Sequence, residues 1–211
     1  MPTMIQRFVI AMLVSMTIPL LAQNEQENLP PLANFDENGW WIIEDLEIPP
    51  AIHLEAVSML ELDDGQVAIG TRRGEIWIVS GLLDDDLAAD YQLHAQGLHE
   101  VFGLARKDGH IYATHQAEVT RLIDVDGDGR ADIYETVSDK WGFGSEHEFT
   151  FGSRFDPEGN IWVALCLSGS YTSDYPYRGW CLRVNADGTT TPTCSGLRSP
   201  GGVGFNASGI P

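Results

Sequence analysis

The sequence predicts an all-β chain, a β-propeller of four-stranded antiparallel blades, and two observations predict it. Gly65, Gly109, Gly159 and Gly209 each close a short polar turn that leads into an apolar run, and they recur at separations of 44, 50 and 50 residues. The copies read Asp64-Gly65-Gln-Val-Ala-Ile-Gly, Asp108-Gly109-His-Ile-Tyr-Ala-Thr and Glu158-Gly159-Asn-Ile-Trp-Val-Ala, and a fourth begins at Ala207-Ser208-Gly209-Ile210. A fixed period of about 40 to 50 residues in strand-like text is the signature of propeller blades. Within each copy, apolar and polar residues also alternate with the strand period of two, and turns fall where Gly and polar residues cluster.

Taken in chain order, residues 1–22 have the parts of an export signal: a short start with Arg7, the apolar run Phe8 to Leu21 broken by Pro19, and Leu20-Leu21-Ala22 as a small-residue cleavage site. The run is short of the roughly 20 residues that span a bilayer, so no stable membrane span is expected; an uncleaved anchor is the other reading. The expected location is periplasmic or secreted. Residues 23–50 form an acidic, Pro-containing linker with an edge strand at Trp40 to Ile43, and residues 51–211 form the propeller blades. The first blade takes strands at Ala56 to Leu62, Gln66 to Thr71 and Glu75 to Val79, with a fourth near Asp90 to His94. The second runs through Phe102 to Ala105, His110 to His115 and Glu118 to Ile123; the third through Gly152 to Asp156, Asn160 to Leu167 and Trp180 to Asn185. The segment Ser168 to Arg178, with three Tyr and one Pro, is an insertion between two strands of the third blade. A propeller closes with about 4 to 8 blades, so three to four repeats read as the N-terminal part of a longer protein with an open edge at Gly204 to Pro211.

Charge narrows the partners. With 31 acids against 12 bases the formal net charge is -19, and such a surface repels phosphate backbones, so no nucleic-acid partner is expected.

The sharpest chemical motif is Asp124-Val-Asp126-Gly-Asp128-Gly129-Arg130-Ala-Asp132-Ile-Tyr-Glu135. A calcium loop places oxygen ligands at positions 1, 3, 5, 7, 9 and 12 and a Gly at 6, because a hard cation takes about 6 to 8 oxygens wrapped around it. Asp124, Asp126, Asp128, Asp132 and Glu135 supply side chains in that register, Arg130 its carbonyl and Gly129 the turn. Glu118 to Ile123, which precedes the loop, alternates like a strand. The loop is therefore expected to bind calcium as a staple within a blade; an acidic, solvated turn is the plainer alternative.

The segments leading from one blade into the next form a second recurrence: Gly97-Leu98-His99-Glu100-Val101-Phe102-Gly103, Trp141-Gly142-Phe143-Gly144-Ser145-Glu146-His147-Glu148-Phe149, and Gly196-Leu197-Arg198-Ser199-Pro200-Gly201-Gly202. In a propeller these connections meet at one mouth of the central channel, so His99, Glu100, Glu146, His147, Glu148 and Arg198 are expected to face a shared cavity. A His flanked by two acids suits a general base, since carboxylates hold its ring and raise its basicity. Arg198 suits a carboxylate or an oxyanion. Loop hydrogen bonds that close the blades are the plainer reading of the same residues.

The order Glu100-Val-Phe-Gly103-Leu-Ala, then Glu146-His147 before a strand ending Asp156-Pro-Glu-Gly159-Asn-Ile-Trp, then Gly196-Leu-Arg198-Ser-Pro-Gly-Gly, resembles the glucose/sorbosone dehydrogenase family. The branch it looks most like is that of large exported proteins of planctomycete-type bacteria. The resemblance covers about residues 50–211 and implies a six-bladed quinoprotein that oxidises a small-molecule sugar or other alcohol with pyrroloquinoline quinone (PQQ). It implies His147 as the catalytic base and Arg198 on the cofactor; from the shared channel mouth, Glu146 is expected to join the base, and Ser199, Glu100 and His99 the cofactor edge. Ser199 stands where the family has Asn. A cytochrome c or cupredoxin domain is the electron acceptor that the resemblance implies. The alternative, from the residues alone, is a calcium-stapled propeller that binds a glycan or a protein and carries no redox role.

Cys166, Cys181 and Cys194 fall on successive strands, and Cys181 stands between two neighbours across turns. Either pairing leaves one thiol over, and three buried thiols fit the same spacing. The c-type haem motif Cys-x-x-Cys-His is absent from the sequence.

Overall fold

A computed structural model describes residues 44–82, 87–167 and 173–211. The export signal, the edge strand at 40–43 and the first part of the Tyr-rich insertion, 168–172, lie outside the described residues. The chain is all-β: among the described residues, twelve strands form three four-stranded antiparallel sheets, each a meander of sequence neighbours. The first blade is β1 (Ala56–Glu61), β2 (Val67–Thr71), β3 (Ile76–Ser80) and β4 (Asp90–Ala95). The second is β5 (Gly103–Lys107), β6 (His110–His115), β7 (Glu118–Ile123) and β8 (Ile133–Ser138), and the third is β9 (Thr150–Phe155), β10 (Ile161–Leu165), β11 (Trp180–Val184) and β12 (Thr190–Ser195).

The repeated Gly falls in the first hairpin of each blade, in a two-residue turn between Lys107 and His110 and in five-residue turns between Glu61 and Val67 and between Phe155 and Ile161. Gly65, Gly109, Gly159 and Gly209 have φ of 75°, 82°, 86° and 73°, the left-handed region where a side chain is strained. In the third copy the Gly159 N–H donates to Asp156 O at 2.9 Å and Asp156 N–H to Asn160 O at 2.9 Å. Residues 206–210 repeat that pair of bonds, Gly209 to Asn206 at 2.9 Å and Asn206 to Ile210 at 3.0 Å. Phe205, just before this fourth turn, packs edge-on against Trp162 of β10 at 5.8 Å.

Period-two alternation divides each central strand between two cores. Ala68, Ile76 and Ile78 of the first blade meet Leu104, Ile111, Ala113 and Leu122 of the second. The next residues along, Ile69 and Val79, point the other way, onto Leu54 and Leu82, with Leu46, Ile48 and Ile52 closing over them. From the second blade, Ala105, Tyr112 and Val119 turn toward Ile161, Val163, Leu165, Leu182 and Val184 of the third. Each fully buried Ile, Leu or Val stabilises by roughly 1.5–3 kcal/mol relative to exposure, so the apolar faces hold the blades to one another.

Inner strands β1, β5 and β9 lie side by side. A Cβ on Gly103 of β5 would stand 1.3 Å from the carbonyl oxygen of Gly152 in β9, so the backbones meet where only Gly fits. Ser58 donates to Val101 O at 2.5 Å and Ser138 to Gly188 O at 2.8 Å, and Thr114 is hydrogen-bonded to Ser153. These polar bonds cross from blade to blade. The meander gives the assembly two ends. The β1–β2-type hairpins and the β3–β4-type loops lie at one, and the inter-blade connections lie at the other with the β2–β3-type turns.

Candidate functional site

The acidic loop joins β7 to β8 at the hairpin end. Asp124 accepts from Gly127 N at 2.7 Å and Gly129 N at 2.9 Å, Asp126 from Asp128 N at 3.2 Å, and Asp128 from Arg130 N at 2.8 Å. The Gly129 N–H holds the Asp124 carboxyl below its ordinary range, and Gly127 adds to it against a desolvation that acts the other way. Carboxylate oxygens of Asp124, Asp126 and Asp128 lie within 4.8 Å of one another. Asp132 reaches back to accept from Val125 N at 2.8 Å. Glu135 stands apart: it lies on β8, where the strand register sets it opposite Arg121 of β7, and the two side chains form an ion pair. The strand begins at Ile133, so the last three positions of the twelve-residue pattern are sheet and the loop proper ends at Asp132. The loop is bound to blade one, with Gln92 donating to Asp128 O at 2.8 Å, His94 Nδ1 at 2.8 Å from Gly129 O, and Ala131 N donating to His94 O at 2.8 Å.

At the connection end, His147 and Glu146 lie in the segment between β8 and β9, Nδ1 to Oε1 at 3.8 Å, with side chains 69% and 87% exposed. At such exposure a pair contributes about 0–1 kcal/mol, so it does little to hold the loop. The His147 carbonyl accepts from the Cys166 thiol at 3.0 Å, and the next residue, Leu167, donates its N–H to Arg198 O at 3.0 Å. His147 and Arg198 are thus tied to two consecutive residues of one segment. The side chains of Arg198 and Ser199 are exposed, and among the described residues Arg198 has no ion-pair partner. His99 stacks on His115 with centroids 6.1 Å apart and meets Phe143 edge-on at 5.7 Å. Glu100 is engaged by Arg72 of its own blade at 2.9 Å. Phe102, Phe149 and Phe151 form a cluster with centroids 4.8–5.9 Å apart, and His147 adjoins it 6.3 Å from Phe149.

Glu148 does not flank the His147 ring, as the sequence pattern led one to expect. It is 3% exposed, accepts from Gly144 N at 2.6 Å, and lies 3.9 Å from the guanidinium of Arg178, itself 1% exposed. Residues 145–148 form a tight turn, closed by the Glu148 N–H donating to Ser145 O at 3.0 Å, which leaves Glu146 and His147 outside and Glu148 inside. Arg178 donates to Gly142 O at 2.8 and 2.5 Å, to Phe149 O at 2.9 Å and to Gln116 O at 3.1 Å. Burial pulls its pKa down to about 10, with Glu148 opposing. This residue anchors both ends of the connection that carries Glu146 and His147. Nothing local in a Tyr- and Pro-containing insertion singles out an Arg for that role.

His115, the last residue of β6, also went unmarked in the sequence. It is buried, with Nε2 at 2.9 Å from Thr120 Oγ1 and 3.4 Å from Glu118, and its Nδ1 has no partner. Desolvation pushes its pKa down, Glu118 partly offsets this, and His99 adds to the lowering. The only sequence signal was a polar residue at a core position of the alternation.

No protein-family model matches the chain, and no curated protein matches it. Among the described residues no helix is long and apolar enough to cross a membrane.

Proposed function

We propose that this chain belongs to an exported quinoprotein-like oxidoreductase that oxidises a sugar or other alcohol with PQQ. The observation that supports this most is the tie of His147 and Arg198 to adjacent residues 166 and 167 at the connection end. An exposed guanidinium without an ion-pair partner, with the Ser199 hydroxyl beside it in sequence and His99 at the same end, is a donor set suited to one oxygen-bearing edge of the quinone. Bound there, PQQ would supply the hydride acceptor. His147 takes the proton of the substrate hydroxyl, and Glu146 stabilises the ring as it becomes positive. A positioned base of this kind typically contributes about 10² to 10⁴-fold. The Phe102, Phe149 and Phe151 cluster gives the substrate's apolar ring face a surface to lie on. In this reading calcium in the loop that begins at Asp124 staples blade two to blade one and takes no part in the chemistry. A cytochrome c or cupredoxin partner would take up the electrons.

The experiment is a titration of PQQ, with calcium present, into the purified full-length protein, followed by absorbance and melting temperature, then dye-linked oxidation of aldoses. His147→Ala should abolish turnover with the fold retained, and Arg198→Ala should chiefly weaken cofactor retention. No PQQ-dependent change in either signal would refute the oxidoreductase reading.

The aromatic cluster beside His147 also favours a second reading, a propeller that binds a glycan without oxidising it. Saturable glycan binding that needs Phe149 and His147 but not PQQ would select it.

A further inference from the structure

We propose that Cys181 and Cys194 are a built site for a cross-strand disulfide, formed by exchange with a low-molecular-weight disulfide, and that Cys166 remains a thiol. The strand register sets Cys181 of β11 directly opposite Cys194 of β12. Directly opposed residues in an antiparallel pair have Cα atoms about 4.5–5.5 Å apart, inside the range of about 4.4–6.8 Å that a disulfide spans.

Cys166 is excluded by the same register. Ala164 is the residue opposite Cys181, so Cys166 lies two positions along, a diagonal neighbour at about 7–8 Å, beyond that range. Its thiol is also engaged, donating to His147 O, while its N–H donates to Phe149 O at 3.0 Å.

The two partners differ in the way an exchange reaction needs. Cys194 is exposed and Cys181 buried. Burial pushes the Cys181 thiol up, Thr193 pulls it down, and the neighbouring Cys194 raises it again. Cys194 is therefore the sulfur that attacks first. Its thiolate displaces one glutathione from oxidised glutathione and forms a mixed disulfide. The Cys181 sulfur then attacks the Cys194 sulfur and displaces the second. The two cysteine protons end on two glutathione thiols, the cysteines are oxidised and glutathione disulfide is reduced.

Strand β12 has reason to be stapled. It is the outer edge of its sheet, paired to β11 alone and mostly exposed, and its end leads through Gly196 to Arg198.

The test is to equilibrate the native protein with oxidised glutathione, block free thiols, and map tryptic peptides without reduction. The expected product joins the peptides 179–183 and 184–198, while Cys166, in peptide 155–178, is alkylated once the chain is unfolded. Dithiothreitol should remove the link. Cys194→Ser should prevent it, and Cys166→Ser should leave it intact. The oxidised wild type should melt above the reduced form, with no such difference in Cys194→Ser. A link that contains Cys166, a lasting glutathione adduct on Cys194 with Cys181 still free, or full alkylation of both cysteines would each overturn the proposal.

Discussion

Replacing Arg178 with Met removes the group around which the connection from β8 to β9 is folded. The side chain volume is nearly kept, so the loss is electrostatic. Four hydrogen bonds to three carbonyl oxygens disappear, and Glu148, 3.9 Å from the guanidinium, is left as a buried carboxylate with only Gly144 N to satisfy it. Breaking one side of a buried pair costs about 3–5 kcal/mol, a large part of the roughly 5–15 kcal/mol by which a domain is stable. For a chain of this size that is a fall of roughly 6 to 20 °C in melting temperature, at about 2–4 °C per kcal/mol. Urea unfolding followed by Trp fluorescence measures it. The double variant Arg178→Met, Glu148→Gln should recover about 1–2 kcal/mol, because Gln keeps an acceptor for Gly144 N and removes the unpaired charge. Limited proteolysis should also show the single variant cut within 139–149. A loss below about 1 kcal/mol, or a double variant no better than the single, would refute the view that this buried pair organises the connection.

Gly103→Ala should destabilise by several kcal/mol and lower the yield of folded protein, since the new Cβ meets backbone at Gly152 that cannot move aside; a melting temperature within about 2 °C of wild type would contradict the close approach of β5 and β9. Calcium should raise the melting temperature and a chelator should reverse it, with Asp126→Asn blunting the response; no change on chelation refutes the calcium assignment. His115, whose folded pKa is lowered, binds fewer protons than in the unfolded chain once the pH falls below about 6.5. Stability is therefore full above that pH and is lost as pH falls through the folded value, so urea midpoints between pH 7.5 and 5 should slope less in His115→Gln than in wild type.

Much of the fold was written locally. A positive φ at a turn favours Gly, and a half-buried strand demands alternation, so Gly65, Gly109, Gly159 and Gly209 and the runs after them placed strands at 66–71, 110–115 and 160–167 from the text alone, against 67–71, 110–115 and 161–165 in the structure. The acidic loop was legible for the same reason, since Asp124, Asp126 and Asp128 bond their own near neighbours. That Glu135 lies on β8 and pairs with Arg121 was not legible, because the spacing of a ligand pattern says nothing about where the strand begins; the ladder decided that. At the connection end, residue types marked His147 and Arg198, while the inward turn of Glu148 toward Arg178 was invisible, since its cause is a residue thirty positions away in an insertion of unremarkable composition. The cysteines show the same division. Their spacing along the chain left Cys181 between two candidates, and strand register, which is fixed by the packing of whole faces, set it opposite Cys194. Sequence alone determined what depends on neighbours in the chain: turns, alternation, the acidic loop. Tertiary structure decided what depends on distance in space, namely which charges are buried together, which thiols face each other and which side chains reach the same end, because those energies arise only once the blades have packed.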